Sequence, residues 1–564
     1  MFKITKGLPV TLLLLIAGIT SSMSQNLKIE TLANDNYLIR VARNATEKYI
    51  IFPIEEAAPE SQLRVIVDNT QHQLLNIRLA LTHVDYYVPF CLDQYRGHDL
   101  TLFTHINIDR RNRGGVGSEI CLHDIRLADT FDTANCEKYR PEYHHTPIYG
   151  WMNDPNGMFY KDGLWHLYYQ YNPYGSMWGN MHWGHSVSKD LINWQHKPFV
   201  LVPDANGTVF SGSCVVDYNN TAGFGPGAII ALYTSANEVQ SQSLAYSLDN
   251  GETFHVYEGN PILTAEIPDF RDPNMFWHEA TQRWILTMSA GQEMRIYSSP
   301  NLKEWTEESR FGREYGCHSG VWECPDLLQL NIEGGKTQGK KKWVLICNIN
   351  PGSPSGGSGT QYFIGNFDGH KFTPDNPKRY TSGQSLWQDY GKDHYATVSF
   401  SNAPDSRHTM IAWMSNWQYA NQVPTKQYRS ANTICREPFL YYGADKQIYL
   451  GSRPSPEYEG KGLDQVIKVK GSCTVTLSND EGEDFKIIYD EKSMTLTTDR
   501  SNSGEKSFSQ DFDQLSIAPV HNRLSTLRIF VDRSSVEVFG NDGEVAITSI
   551  VFPKSRYKNF NVTK

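Results

Sequence analysis

The chain has 564 residues and a formal charge of −10, with 20% charged and 12% aromatic residues. That length calls for roughly two to four domains, and the aromatic content excludes a disordered chain. An acidic balance with no basic run longer than Lys340–Lys342 excludes a nucleic-acid surface.

Taken in chain order, the first segment reads as an export signal. Lys3 and Lys6 precede the apolar run Val10–Ile16, and small residues end it near Ser24. The run is too short to span a bilayer, and no later segment is long and apolar enough to do so. The first cysteine is Cys91, which disfavours a lipid anchor. A soluble periplasmic or secreted protein is expected, with residues 1–24 removed. The nine cysteines show neither a C-x-x-C motif nor a zinc-like Cys/His spacing. Cys121 and Cys136 either pair in an oxidising compartment or stay small buried residues like most of the others.

Residues 25–138 carry alternating β-like runs, "LRVIVDN", "LLNIRLAL" and "LTLFTHINI", and a loop, "RRNRGGVGSE". They predict a small all-β domain. Residues 139–440 repeat a unit of strand, turn and short segment ending in an aromatic. The endings are Trp194, Phe254, Trp305 and Phe372, spaced by 60, 51 and 67 residues, and "DHYATVSF…RHTMIAWM" closes the series. About five such units predict a five-bladed β-propeller, although a solenoid or a large sandwich shares this kind of repeat. Residues 441–564 hold further strands, with Asn541-Asp542-Gly543 as a hairpin turn, and predict a β-sandwich. The whole chain reads as all-β.

Three acids stand out in the repeats: Asp154 in "GWMNDPNGMF", Asp272 in "DFRDPNMF" and Glu323 in "VWECPDLL". Alone, an Asp-Pro pair marks a turn, with Pro155, Asn156 and Gly157 as a tight bend into the next strand. Yet the acids occupy similar places in successive units, 118 and 51 residues apart. Equivalent places in a propeller converge on one end of its axis. Like charges gathered there raise one another's proton affinity, a cost that catalysis can use. Two carboxylates flanking a sugar C–O bond are the apparatus of glycosidases. No phosphate loop, Ser-His-Asp arrangement or metal cluster competes, so neither cofactor nor metal is expected. His144 and His145 are adjacent, and in a strand they would face opposite ways, which argues against joint chelation.

In these residues the chain resembles glycoside hydrolase family 32, the β-fructosidases. The resemblance rests on "RPEYHHTPIYGWMNDPNG", "YQYNP", "WGNMHWGHSVSKDLINW", "FSGS", "FRDP", "WECPD" and "WMSNWQYA…PT", in that order from Arg140 onward. It implies a five-bladed propeller followed by a β-sandwich. Asp154 then corresponds to the nucleophile, Glu323 to the acid/base and Asp272 to the transition-state stabiliser, with Arg271 beside it. Asn153, Gln170, Trp178, Phe210 and Ser211 correspond to the walls of the terminal-fructose pocket, and either Trp413 or Trp417 adds to them. Glu323 must start protonated, to which apolar Val321, Trp322 and Cys324 beside it are suited. Retention of configuration would follow, with the two carboxyl groups about 5 Å apart. "RSANTICREP" departs from the family pattern and blurs the end of the propeller. The first block lies outside the family's common core. It resembles an extra N-terminal domain of some gut Bacteroidetes members, read as a support packed on the propeller rather than a sugar-binding module.

The leading expectation is release of fructose from levan, inulin or sucrose by exo-action. Endo-cleavage and fructosyl transfer are the enzymatic rivals. A catalytically silent fructan-binding protein is the rival of another class, against which the three intact acids argue. The "NDPNG", "RDP" and "ECP" motifs also disfavour a propeller arabinosidase or xylosidase.

Overall fold

The structure is a computed structural model that describes residues 26–106, 119–133, 137–335, 338–381 and 383–564. The expected signal, most of the 110–119 loop and Cys136 lie outside the described residues. Among the described residues no two cysteines are bonded, and no helix is long and apolar enough to cross a membrane. The chain is all-β, and its one α-helix among those residues is the single turn Cys121–Asp124.

The N-terminal block forms two sheets around one core. Leu27–Thr31, Asn36–Val41, Leu100–His105, Ser61–Val67 and Thr70–Ile77 make the larger, in that spatial order. Tyr86–Cys91, Tyr49–Ile54 and Arg126–Ala128 make the smaller. Ser61–Val67 buries every second side chain, as its alternating sequence requires.

From Gly150 onward five sheets follow one another, antiparallel except where Tyr428–Arg429 runs parallel beside Gly150 and Trp151 in the first, and their first strands lie innermost. These inner strands are Gly150–Lys161, Thr208–Asp217, Phe270–His278, Val321–Asn331 and Tyr395–Ser399. Each packs against the next, and the fifth packs against the first. The ring is closed by Ser401, whose N–H donates to Met158 O (3.0 Å) and whose carbonyl accepts from Tyr160 N (3.0 Å). The aromatic unit endings prove to mark the passage into each outer strand. Trp194 and Phe372 open theirs, while Phe254 and Trp305 directly precede theirs. The fifth sheet runs on to Pro454, past the expected boundary at 440.

The last block is a two-sheet sandwich. A four-stranded sheet contains the hairpin Ser535–Gly540 and Val545–Ile550, whose turn passes through Asn541, Asp542 and Gly543 as expected. A five-stranded sheet faces it across a core that includes Val475, Ile487, Leu527 and Val538.

Propeller and sandwich meet across buried charge. His144 reaches Asp532 Oδ2 (2.8 Å) and Glu537 Oε1 (2.9 Å) through its two ring nitrogens. Arg436 joins Glu537 to Asp389, and all of these side chains are buried. His145 turns elsewhere, to Asn432 Oδ1 (2.8 Å) and Ser186 Oγ (2.9 Å). The two histidines lie outside any strand, contrary to the expectation, yet they do part company.

Burial disfavours a charged His144, but its two carboxylate partners outweigh burial and raise its pKa from 6.5 to about 9. A pKa raised by folding stabilises the fold fully below the unfolded value and loses that contribution as pH climbs through the folded value. The apparent Tm should therefore fall by several degrees between pH 6.5 and 9.5. His144→Gln should lower the Tm at pH 6.5 and flatten this decline; an unchanged slope in differential scanning calorimetry would refute it.

Candidate active site

Every inner strand carries a bulge at the same level. In the first, Asn153 and Asp154 together oppose Gln170 of the neighbouring strand. In the second, Phe210 and Ser211 oppose Thr234; in the third, Asp272 and Pro273 oppose Met288. Cys324 and Pro325 oppose Cys347, and Ala396 and Thr397 oppose Ala412. Two residues facing one re-aim the side chains that alternation would send elsewhere. Asp272, Cys324 and Ala396 adopt φ of 64°, 41° and 53°, a left-handed conformation that non-glycine residues enter at a cost. Proline, which cannot donate to a ladder, is tolerated at such points. Pro155, Asn156 and Gly157 thus do not form the expected tight bend: Gly150–Lys161 is one continuous strand, bulged where the acid sits.

The bulges bring the three acids together. Asp154 Oδ2 accepts from Ser211 Oγ (2.7 Å) and from the Cys324 thiol (3.4 Å), and its Oδ1 accepts from Asn153 Nδ2 (3.0 Å). Asn153 is oriented in turn by Trp151 Nε1 (2.8 Å). Asp272 Oδ2 accepts from Cys324 N–H (2.9 Å) and faces the same thiol (3.6 Å). Glu323, the residue before Cys324, has one oxygen held by Arg271 Nε (3.1 Å) and Nη2 (2.9 Å). Its other oxygen accepts from the Tyr395 hydroxyl. Arg271 also pairs with Asp269 (2.6 Å).

Burial, then the nearby Glu323, raises the Asp154 pKa against the donors on it. Asp272 is carried up to about 7, first by burial and then by Glu323 and Asp154, against the pull of Arg271. Asp272 is thereby set to exchange a proton near neutrality.

The remaining expected residues fall around this centre. Trp178 is 45% exposed, and its ring meets that of Phe210 edge-on, centroids 6.1 Å apart. Gln170 is buried and links sheets, donating to Val209 O (3.0 Å) and to the Asn156 amide oxygen (3.0 Å). Of the two tryptophans left open, Trp413 is fully buried, whereas Trp417 is partly exposed and stacks on Trp151 at 5.8 Å. Sequence reasoning took Cys324 only as an apolar neighbour of Glu323 and missed Tyr395 and Thr234, whose hydroxyl accepts from Asp272 N–H (3.0 Å). Tyr395 lies in "DHYATVSF", which carries no proline beside its bulge; its place one residue before the fifth bulge was the available signal.

Comparison with known proteins agrees with this geometry. The family model for the glycosyl hydrolases family 32 N-terminal domain matches residues 144–451, and that for the family's C-terminal domain matches 465–564. The chain belongs to glycosyl hydrolase family 32. It is a glycoside hydrolase of the β-fructosidase class. A levanase of Bacillus subtilis is 45% identical over 471 residues, which cover 76% of this chain and 68% of the levanase. The crystal structure of exo-inulinase from Aspergillus awamori superposes with a TM-score of 0.70 at 34% identity, covering 77% of this chain and 96% of that one. A β-fructofuranosidase of Schwanniomyces occidentalis complexed with fructosyl-erythritol gives 0.67 at 35% identity, covering 75% and 94%. Family 32 neighbours have a β-propeller followed by a β-sandwich, and this chain adds a β domain in front of them. Residues 33–143 match a domain of unknown function (DUF4980).

Ser211 makes a charge-assisted hydrogen bond to Asp154, a type stronger than neutral ones. Ser211→Ala should keep the fold and lower kcat/KM for fructoside hydrolysis by about tenfold, the worth of one such bond. Initial rates within twofold of wild type would show that the hydroxyl does not tune Asp154.

Proposed function

We propose that the protein is an exported, retaining β-fructofuranosidase that releases fructose from the ends of levan, inulin or sucrose. The observation that carries this is the meeting of Asp154 and Asp272 across the Cys324 thiol, with Glu323 adjacent, at one end of the strand ring. Asp154 attacks the anomeric carbon while Glu323 protonates the leaving oxygen. Glu323 then takes a proton from water, which attacks the same carbon and frees Asp154. Asp272 holds fructose hydroxyls, and Arg271 and Tyr395 fix the Glu323 carboxyl. Asn153, Gln170, Phe210, Ser211, Trp178 and Trp417 shape the pocket, by direct contact or by holding its strands. Each of the five sheets acts as one propeller blade, the propeller ends after Pro454, and residues 1–24 direct export.

Support for exo-action comes from the relatives named exo-inulinases, matched over about nine-tenths of their length. A product time course on levan, inulin and sucrose tests it. Early fructose alone is expected; an early ladder of oligosaccharides would mean endo-cleavage, longer products fructosyl transfer, and no product a binding protein.

Glu323→Gln should lose about 10²- to 10⁴-fold in kcat on sucrose, the usual worth of general acid–base catalysis. It should lose less on an aryl fructoside, whose leaving group needs no proton. Asp154→Asn should be inactive on both while remaining folded. Near-wild-type turnover in either variant on sucrose would overturn its role.

A further inference from the structure

The loop that carries Trp178 is held from outside the propeller. It joins the strands Leu164–Asn172 and His182–Ser188 at the end of the first sheet where Trp151 and Met152 pair with Asn172 and Tyr171. It therefore opens beside Asp154. Within the loop, Asn172 accepts from Tyr174 N–H (3.0 Å) and Asn180 Nδ2 (3.1 Å) and donates to Met177 O (2.8 Å). Three further attachments come from the N-terminal domain. Thr70–Ile77 is an edge strand, and the free edge of Asn76 is closed by the Asn180 amide. Asn76 N–H donates to Asn180 Oδ1 (2.7 Å), and Asn180 Nδ2 donates to Asn76 O (2.7 Å). Ser176 Oγ donates to Glu56 Oε1 (2.7 Å), and Ser176 N–H donates to the Tyr86 hydroxyl (2.9 Å). Glu56 is itself paired with Arg429 of the propeller (2.9 Å). Tyr174 reaches into the core of the N-terminal domain beside Phe90, while its ring still meets His182 of the propeller edge-on.

Trp178 stands between Met177 and Gly179, in the middle of this clamp. Its own N–H is held by Asn421 Oδ1 (3.0 Å), and its ring rests edge-on against Phe210, the neighbour of Ser211. Trp178 is nearly half exposed, and its ring contact is with Phe210. A flat apolar ring that covers a sugar face must be placed before the sugar arrives, since ordering it on binding weakens affinity.

We infer that the N-terminal domain is a specificity element: through Asn76–Asn180, Glu56–Ser176 and the inserted Tyr174 it positions Trp178 against the fructan substrate. Asn180, Ser176 and Glu56 are positioning residues and touch no reacting atom. The inference rests on the β-fructosidase reading and on Trp178 as a wall of the sugar pocket.

The test uses the full chain with Asn180→Ala and Ser176→Ala, each compared with Trp178→Ala, on levan, inulin and sucrose. Loss of two or three hydrogen bonds should raise KM on the preferred fructan about three- to tenfold. The kcat of Asn180→Ala and Ser176→Ala should stay within twofold of wild type, and hydrogen exchange across residues 173–181 should quicken. Trp178→Ala should raise KM further, and adding Asn180→Ala to it should raise KM no more, because both act through one ring. Unchanged KM in both clamp variants with faster exchange would overturn the inference, as would a fully additive double variant. A fall in kcat at unchanged KM would show a merely structural role. No hydrolysis by the wild type would instead overturn the functional reading.

Discussion

The site depends on one backbone device: a bulge at the same level in each of five inner strands. A regular strand alternates its side chains between two faces, so neighbouring positions cannot both address the ring axis. Setting two residues against one breaks that rule for one step. Asn153 and Asp154 share a bulge, as do Phe210 and Ser211, while Glu323 and Tyr395 each stand just before one. Because the strands pack in a closed ring, five local irregularities become one cluster. The distances around Asp154 and Asp272 follow from that register rather than from any single loop.

The cluster contrasts with the second set of buried acids, at the seam between propeller and sandwich. Asp532, Glu537 and Asp389 are as buried as Asp272. Their pKa values are nevertheless lowered, because His144 and Arg436 stand within hydrogen-bond reach and offset the burial. Asp154 and Asp272 are raised, because one guanidinium, that of Arg271, serves three carboxylates and spends its bonds on Glu323 and Asp269. Asp272 is as buried as the seam acids, and the count of cations separates it from them. At the seam, removing a partner leaves an uncompensated buried charge, so the network enforces one domain arrangement. In the site the shortfall of cations leaves burial and the neighbouring carboxylates to raise Asp154 and Asp272.

Much of this was legible in the sequence, and the parts that were not have physical reasons. The aromatic unit endings and the three acids were visible because each unit repeats one piece of local chemistry. The Asp-Pro motifs "NDP" and "RDP" read as turns, since proline interrupts a ladder in a turn and in a bulge alike. Nothing local distinguishes the two; only the pairing of Tyr169 with Pro155 and of Tyr171 with Met152 does. Tyr395 escaped notice because its bulge, at Ala396-Thr397, has no proline to announce it. The roles of His144 and Arg436 were hidden for another reason. Their partners lie some four hundred and one hundred residues further on, and no periodicity links them.

The N-terminal domain could be read from its sequence as a support packed on the propeller, but which loop it holds could not. Its strands predict a closed core, and a closed core has no reason to need a guest. Yet Tyr174, from a propeller loop, fills that core alongside Phe90 and Tyr95. A buried aromatic that completes another domain's core ties its own loop to that domain's stability. The acids sit on strands that five sheets hold rigid, whereas the rim tryptophan sits on a loop whose anchors lie in a separate domain. Bond cleavage and substrate selection are thereby built on different parts of the chain. Glu56, Asn76 and Tyr86 anchor that loop and make no hydrogen bond to the acid cluster.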